Sequence, residues 1–202
     1  MTNIAILDYG VGNLFSIQTA LNKLMVNTIL ISKLNTNQEY DGIILPGVGS
    51  WKYTVKKIEE NRQILQEWHD DNKPILGVCL GMQLFFQRSV EGPGKGLEFF
   101  EGEIKMLSKE VKIPHIGWNI LKKNISNPLL DGVKDRAWVY FVHSLYPEPI
   151  NHSIISTTTD YGIDFASMIS DKKTFGTQFH PEKSGKTGAK ILENFVSICD
   201  MQ

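Results

Sequence analysis

A cysteine stands between two glycines in the segment Gly77-Val78-Cys79-Leu80-Gly81. The spacing is that of a G-x-S-x-G nucleophile elbow with a thiol in place of the hydroxyl, and the pattern predicts a strand before it (Pro74–Val78) and a helix from about Leu80. Such a helix N-terminus favours a thiolate. We therefore expect Cys79 to be a nucleophile, with the N–H of Leu80 available to an oxyanion. The alternative is a small buried cysteine with no chemical role.

A base and a group to orient it are found together in Gln178-Phe179-His180-Pro181-Glu182, at the end of another predicted strand. Residues two apart on extended backbone point to the same side, so Glu182 can reach the His180 imidazole. Alone, the pair would be better explained by a surface salt bridge or a turn. Beside the elbow, it predicts a Cys-His-Glu triad.

Two further features lie where a substrate would bind. The loop Pro46-Gly47-Val48-Gly49 follows a predicted strand at the carboxyl edge of the sheet, and its N–H groups could complete an oxyanion hole. It could also be only a tight turn. Gln83 comes one helical turn after Cys79, so it either binds a polar substrate or is an exposed helix residue.

These segments need a fold that brings strand ends together. The first half alternates short apolar runs with helical periods, which predicts a parallel α/β sheet flanked by helices. It begins with a strand at Ile4–Leu7, a Gly10-Val11-Gly12 turn and Asn13 as a helix N-cap. From Leu97 to Ile169 we expect antiparallel strands that extend the same sheet, and from Thr187 to Ile198 a closing helix. We expect residues 1–202 to form one domain.

Composition excludes several classes of protein. The chain has 202 residues with 21 Lys+Arg and 22 Asp+Glu, so its formal charge of -1 offers no field for nucleic acid or an anionic membrane. Phe15 replaces the third glycine of a dinucleotide-binding motif, so we expect no such cofactor. The 2 cysteines and 5 scattered histidines predict neither a disulfide framework nor a metal site. With no signal peptide or membrane span in the sequence, we expect a protein of the reducing cytoplasm.

Taken together, six segments make the chain resemble the class I (triad-type) glutamine amidotransferases, whose α/β fold is flavodoxin-like. Among them it is most similar to the glutaminase subunits of imidazole glycerol phosphate synthase. The segments span most of the chain: Asp8-Tyr9-Gly10-Val11-Gly12-Asn13, Leu45-Pro46-Gly47-Val48-Gly49, Gly77-Val78-Cys79-Leu80-Gly81-Met82-Gln83, Pro114-His115-Ile116-Gly117-Trp118-Asn119, Tyr140-Phe141-Val142-His143-Ser144 and Gly176-Thr177-Gln178-Phe179-His180-Pro181-Glu182-Lys183-Ser184.

The resemblance implies a role for each matching residue. Cys79 would attack the side-chain amide of glutamine, His180 would move the proton and Glu182 would orient His180. The implied oxyanion hole consists of Leu80, Gly47, Val48 and Gly49. The implied glutamine-binding positions are Gln83, Ser144, Leu145 and Tyr146.

The resemblance also implies a partner. Ammonia would pass to a HisF-type (βα)8-barrel cyclase that makes imidazole glycerol phosphate and AICAR in histidine biosynthesis. The implied partner-facing residues are Asn13, Trp118, Tyr140 and Lys183; otherwise the two aromatics belong to the core and the lysine is a solvated charge. Little activity is expected without the partner, and we expect the Gly47-Val48-Gly49 loop to hold its N–H groups misaligned in the isolated subunit.

Other functions stay open at this level. A paralogue could supply ammonia for amidation of a surface-polysaccharide sugar. A catalytically silent scaffold, a free-standing γ-glutamyl hydrolase or a redox-sensing thiol protein would share parts of the pattern. The chain departs from the usual pattern of the family at a few positions outside the triad: Ser50-Trp51, Phe85-Phe86, Leu97-Glu98-Phe99-Phe100 and Leu145.

Overall fold

The computed structural model describes residues 1–10, 13–35 and 37–201. The predicted turn at Gly10-Val11-Gly12 therefore lies largely outside the described residues. Asn13 is the N-cap of the first helix, as expected, because its side chain accepts a hydrogen bond from the N–H of Ser16 at 3.3 Å.

The described helices and strands follow one another in an order that alternates in the first half and is mostly strand in the second. The helices are α1 (Leu14–Asn22), α2 (Trp51–Ile58), α3 (Arg62–Asp70), α4 (Leu80–Gln83) and α5 (Gly185–Asp200). The strands are β1 (Asn3–Leu7), β2 (Asn27–Ile31), β3 (Gly42–Leu45), β4 (Ile75–Val78), β5 (Phe86–Ser89), β6 (Phe100–Met106), β7 (His115–Ile120), β8 (Lys122–Lys123), β9 (Trp138–His143), β10 (Leu145–Pro149), β11 (Ile155–Asp160), β12 (Asp164–Asp171) and β13 (Thr174–Thr177).

The central sheet has the order β2-β1-β3-β4-β13-β12-β11-β8 within the described residues. Its first five strands are parallel and the remaining three are antiparallel. The parallel part has the 2-1-3-4-5 order of flavodoxin-like folds. The predicted α/β class, with a mostly parallel sheet and an antiparallel extension, is confirmed.

The prediction that the whole second half extends this sheet is wrong in part. Strands β5, β6 and β10 form a separate sheet, and β7 pairs with β9 alone. Strand β9 explains why, since it buries Val139, Phe141 and His143 on one face and leaves Trp138 and Tyr140 partly exposed on the other. A strand buried on one face suits a surface ribbon, whereas the parallel strands β3, β4 and β13 are buried at every residue.

The sheet is covered on both faces because alternate side chains of its strands point to opposite sides. In β1, Ile4 and Ile6 belong to one apolar cluster, and Ala5 and Leu7 belong to the other. Helix α5 is two residues longer at each end than the predicted closing helix, and it buries an apolar stripe against the first cluster.

The positions that depart from the usual family pattern lie mostly in one aromatic cluster. Phe85 stacks on Phe99 with ring centroids 5.3 Å apart, and Phe86 lies 5.9 Å from Phe100. Trp51 is fully buried in the same apolar cluster. These residues therefore pack together in one apolar cluster.

Candidate active site

Strands β4 and β13 are parallel neighbours, and the two segments predicted to carry chemistry leave their carboxyl ends. Val78 is the register partner of Thr177, and the N–H of Cys79 donates to the Thr177 carbonyl at 2.7 Å. The sheet thus places the cysteine directly beside the segment that leads to His180.

The turn at Cys79 is a strained elbow. Its φ of 53° and ψ of -108° are unfavourable for a residue with a side chain. The helix that follows, α4, has only 4 residues, so the predicted help from a helix dipole is small. Neighbouring side chains must supply the environment of the sulfur instead.

Glycines in this region are required for close approach of backbone segments. A Cβ on Gly81 would lie 1.8 Å from the Leu45 carbonyl oxygen, and one on Gly77 would lie 2.6 Å from the Met82 nitrogen. Neither residue has a positive φ. The glycines therefore let strand β3 pack against the elbow, while Cys79 itself adopts the unusual conformation.

His180 and Glu182 are paired, with 2.8 Å between His180 Nδ1 and Glu182 Oε1. Their side chains are 2% and 4% exposed. The predicted extended backbone between them is wrong, because Pro181–Lys183 forms a 3₁₀ turn that His180 caps. The N–H of His180 donates to the Tyr140 carbonyl at 2.9 Å, which fixes the turn against strand β9.

The charge of His180 is governed by its two neighbours. Burial lowers its pKa, but the nearby Cys79 and Glu182 outweigh burial and raise the pKa to about 10. Nε2 of His180 and Oε2 of Glu182 are buried and make no hydrogen bond within the described residues. The structure therefore brings Cys79, His180 and Glu182 together, with the histidine between two groups that favour an imidazolium.

Two glutamine side chains form a series of hydrogen bonds that begins at the Cys79 sulfur. Gln178 Nε2 lies 3.4 Å from Cys79 Sγ, and Gln178 Oε1 accepts a hydrogen bond from Gln83 Nε2 at 3.0 Å. Gln83 is buried, so the reading of it as an exposed helix residue is wrong. Gln178 was not among the predicted site residues, and the only signal for it in the sequence is its place two residues before His180.

A cavity of about 470 Å³ opens beside the sulfur. It is lined by Val48, Gly49, Cys79, Leu80, Gln83, Ser144 and Leu145, among others. Tyr146 lines a different cavity, and its backbone pairs with Lys105 in the sheet of β10 and β6. Six of the eight residues predicted for the oxyanion and glutamine sites thus share a cavity with Cys79, and Gly47 and Tyr146 are not among its lining residues.

The glycine loop meets the elbow through a carbonyl group. The N–H of Leu80 donates to the Gly47 carbonyl oxygen at 3.4 Å. In this arrangement the N–H that was predicted to hold an oxyanion already has a partner. Gly49 has a φ of 148°, which disfavours any other residue.

The residues predicted to face a partner differ in their exposure. Trp118 is 51% exposed and lies edge-on to Tyr140, with ring centroids 6.0 Å apart. Lys183 is exposed and Asn13 is half-buried. Trp118 is therefore a surface aromatic, not a core residue.

The described residues contain neither a cluster of metal-ligating side chains nor a membrane-spanning helix. No group of three or more His, Cys, Asp or Glu side chains in residues 1–10, 13–35 and 37–201 could hold a metal ion. No helix in that part of the chain is both long and apolar enough to cross a membrane.

Comparison with known proteins agrees with this geometry. The family model described as glutamine amidotransferase class-I matches residues 5–199. The imidazole glycerol phosphate synthase subunit HisH of Bacillus cereus is 42% identical over 200 residues, covering 98% of this chain and 95% of that protein. The subunit HisH of Archaeoglobus fulgidus is 44% identical over 197 residues, covering 96% and 98%.

A solved structure supports the fold alone. The structure of PurLQS from Thermotoga maritima aligns with a TM-score of 0.80 at 16% identity, covering 97% of this chain and 98% of that chain.

The chain belongs to the class-I glutamine amidotransferase family and, within it, to the HisH subunits.

Proposed function

We propose that this chain is the glutaminase subunit of an imidazole glycerol phosphate synthase. It hydrolyses glutamine to glutamate and ammonia through Cys79, His180 and Glu182, and residues 1–202 act as one glutamine amidotransferase domain. The observation that carries the proposal is the buried pairing of His180 with Glu182 next to the strained Cys79, beside a cavity large enough for an amino acid.

The proposed chemistry has two halves. The Cys79 thiolate attacks the side-chain amide carbon of glutamine, the C–N bond breaks, and His180 gives its proton to the departing ammonia. Water then attacks the γ-glutamyl thioester, His180 takes a proton from that water, and glutamate leaves with the sulfur restored. Glu182 holds the imidazole through Nδ1 in both halves.

We further propose that the chain works in a heterodimer with a HisF-type (βα)8-barrel, which consumes the ammonia. The relatives named as subunits of imidazole glycerol phosphate synthase support a partner of this kind. The exposed Trp118, together with Tyr140, Lys183 and Asn13, provides the proposed contact surface. Tyr140 connects that surface to the triad because its carbonyl accepts the His180 N–H.

The glycine loop offers a reason for dependence on the partner. An oxyanion needs the Leu80 N–H, which donates to the Gly47 carbonyl in this structure. We propose that the partner shifts the Gly47-Val48-Gly49 loop so that this carbonyl withdraws and a loop N–H takes its place. Activity in the isolated chain would then be low.

The test is glutamate release from glutamine by the purified chain, alone and with a HisF barrel from the same source plus its ribulosyl nucleotide. We expect strong activation by barrel and nucleotide, and loss of activity in Cys79→Ala. Equal rates with and without the barrel and nucleotide would contradict the loop proposal. No activity under any condition would favour a silent scaffold.

The sugar-amidation paralogue predicts a different result. The barrel would bind, but the ribulosyl nucleotide would not stimulate glutamate release.

A further inference from the structure

Gln178 is a buried amide to which neither half of the proposed chemistry gives a role. Its side chain is fully buried, and its backbone N–H donates to the Ser167 carbonyl at 2.9 Å. A buried amide is costly unless its donors and acceptor are paired. Its partners therefore show what orientation the site requires.

The orientation of Gln178 follows from the acceptors around it. The Leu145 carbonyl can only accept, so the amide nitrogen of Gln83 must face it, at 3.2 Å. The second hydrogen of that nitrogen then points to Gln178, whose oxygen must receive it at 3.0 Å. The Gln178 nitrogen is left facing the Cys79 sulfur at 3.4 Å. A flipped Gln178 amide would bring two donors together and place an oxygen against the sulfur.

The Leu145 carbonyl is itself held by a pair of histidines. His143 Nδ1 donates to it at 2.8 Å, so the neutral ring of His143 accepts at Nε2 from His115 Nδ1, 3.0 Å away. His115 Nε2 in turn accepts from the Asn119 amide at 3.4 Å. Every donor in this series points the same way, from strand β7 toward the carbonyl.

We propose that Gln178 positions the Cys79 sulfur for attack by donating an N–H···S hydrogen bond, and that Gln83 fixes it in this orientation. The inference deepens the proposed glutaminase function and rests on it. A neutral amide suits the task, because it stabilises a thiolate without competing with His180 for the proton. The bond also restrains the sulfur near the cavity where the amide of glutamine would bind.

Alkylation of Cys79 by iodoacetamide tests the contact without glutamine. The rate is measured against pH on the full chain in a Cys199→Ala background, so that one thiol remains. Gln178→Glu keeps the shape and an acceptor for Gln83 but replaces the donor with a carboxylate. We expect the pH of half-maximal rate to rise by about one unit, so that alkylation on the acidic side of this midpoint becomes about tenfold slower.

Gln178→Leu removes the donor without adding a charge, and we expect a smaller shift in the same direction. For glutamine hydrolysis with the partner present, we expect both variants to lower kcat about tenfold or more while KM changes less. Gln178→Asn, which keeps an amide on a shorter side chain, should recover part of the rate.

Asn194→Leu is the matched control. Asn194 is also a buried amide, and its nitrogen donates to the carbonyls of Leu129 and Asp131, away from the sulfur. This variant should lower the melting temperature and leave the alkylation profile unchanged. If a Gln178 variant does not fold, Gln178→Met takes its place.

Unshifted alkylation profiles in folded Gln178 variants would overturn the proposal. If the parent protein is alkylated at Cys79 but releases no glutamate when the partner is present, the proposed function is refuted instead. The two failures can therefore be told apart.

Discussion

Glu182 is the residue whose contribution to the triad can be isolated most cleanly, because it contacts His180 and not the sulfur. In Glu182→Gln the amide keeps the shape but loses the charge that helps to raise the His180 pKa. We expect glutamate release to fall roughly 100-fold or more, within the usual range for a disturbed general base. The alkaline limb of the pH–rate profile should also move to lower pH. The rate against pH, measured with the partner present, checks both.

An unchanged alkaline limb would contradict this account of His180. Glu193→Gln is a suitable control, since Glu193 is an exposed carboxylate that pairs only with Lys190 among the described salt bridges.

At the scale of single residues, the sequence indicated the triad well and the surroundings poorly. Cys79, His180 and Glu182 were recognisable because each follows a predicted strand closely, with glycine or proline nearby. Gln178 was not, because a role for it appears only once the fold places its Nε2 atom 3.4 Å from the Cys79 sulfur. The same limit applies to Gly47, whose carbonyl rather than its N–H meets Leu80.

At the scale of elements, the packing of strand β3 against the elbow depends on Gly81. In Gly81→Ala the new methyl group would overlap the Leu45 carbonyl, which is backbone and cannot swing away. We expect the free energy of unfolding to fall by about 3 kcal/mol or more, at the upper end for overpacking. Urea denaturation measures it.

Gly92→Ala provides the comparison, because its methyl group would meet only the Lys52 Cβ at 3.5 Å. We expect a change below about 1 kcal/mol. Equal losses in the two variants would show that the close approach at Gly81 is not what requires glycine.

The ribbon of β7 and β9 carries the paired histidines, and their titration should affect stability. Burial lowers the pKa of His115 to about 4 and that of His143 to about 3, below the ordinary 6.5. The unfolded chain then binds more protons at mildly acidic pH, so this contribution is complete above about pH 6.5 and is lost as the pH falls through the folded values. We expect unfolding free energy to decrease from pH 7 to pH 5.

His115→Phe tests this contribution, since a phenyl ring can keep the stacking on Tyr161 and Phe141. At pH 7 the variant should lose about 1–3 kcal/mol because His143 Nε2 loses its donor. Its stability should fall less between pH 7 and pH 5 than that of the parent. Parallel curves for the two proteins would exclude His115 as a source of the pH dependence.

At the scale of the whole molecule, the alternation of strands and helices was enough to predict the parallel sheet and its mostly antiparallel continuation. The division of the second half into three sheets was not predictable, because strand length and apolar content do not specify which strand pairs with which. That division matters for function. It places the ribbon of β7 and β9 at the surface, with His143 lining the cavity on one face and Trp118 exposed on the other.

Because the ribbon has two faces, we expect mutations at its exposed face to affect partner binding and activation of the triad to different degrees. Trp118 packs on Tyr140, whose carbonyl accepts the His180 N–H. Trp138 is 58% exposed on the same face and is the register partner of Ile120.

If this face binds the barrel, each of the changes Trp118→Ala and Trp138→Ala should weaken binding about tenfold or more, as for a buried interface aromatic. At saturating barrel, only Trp118→Ala should still show reduced glutaminase activation, because it alone of the two tryptophans contacts the residue that anchors the triad. Titration calorimetry and glutamate release on the same samples measure the two effects. Full activation of Trp118→Ala at saturation would mean that the tryptophan serves binding only.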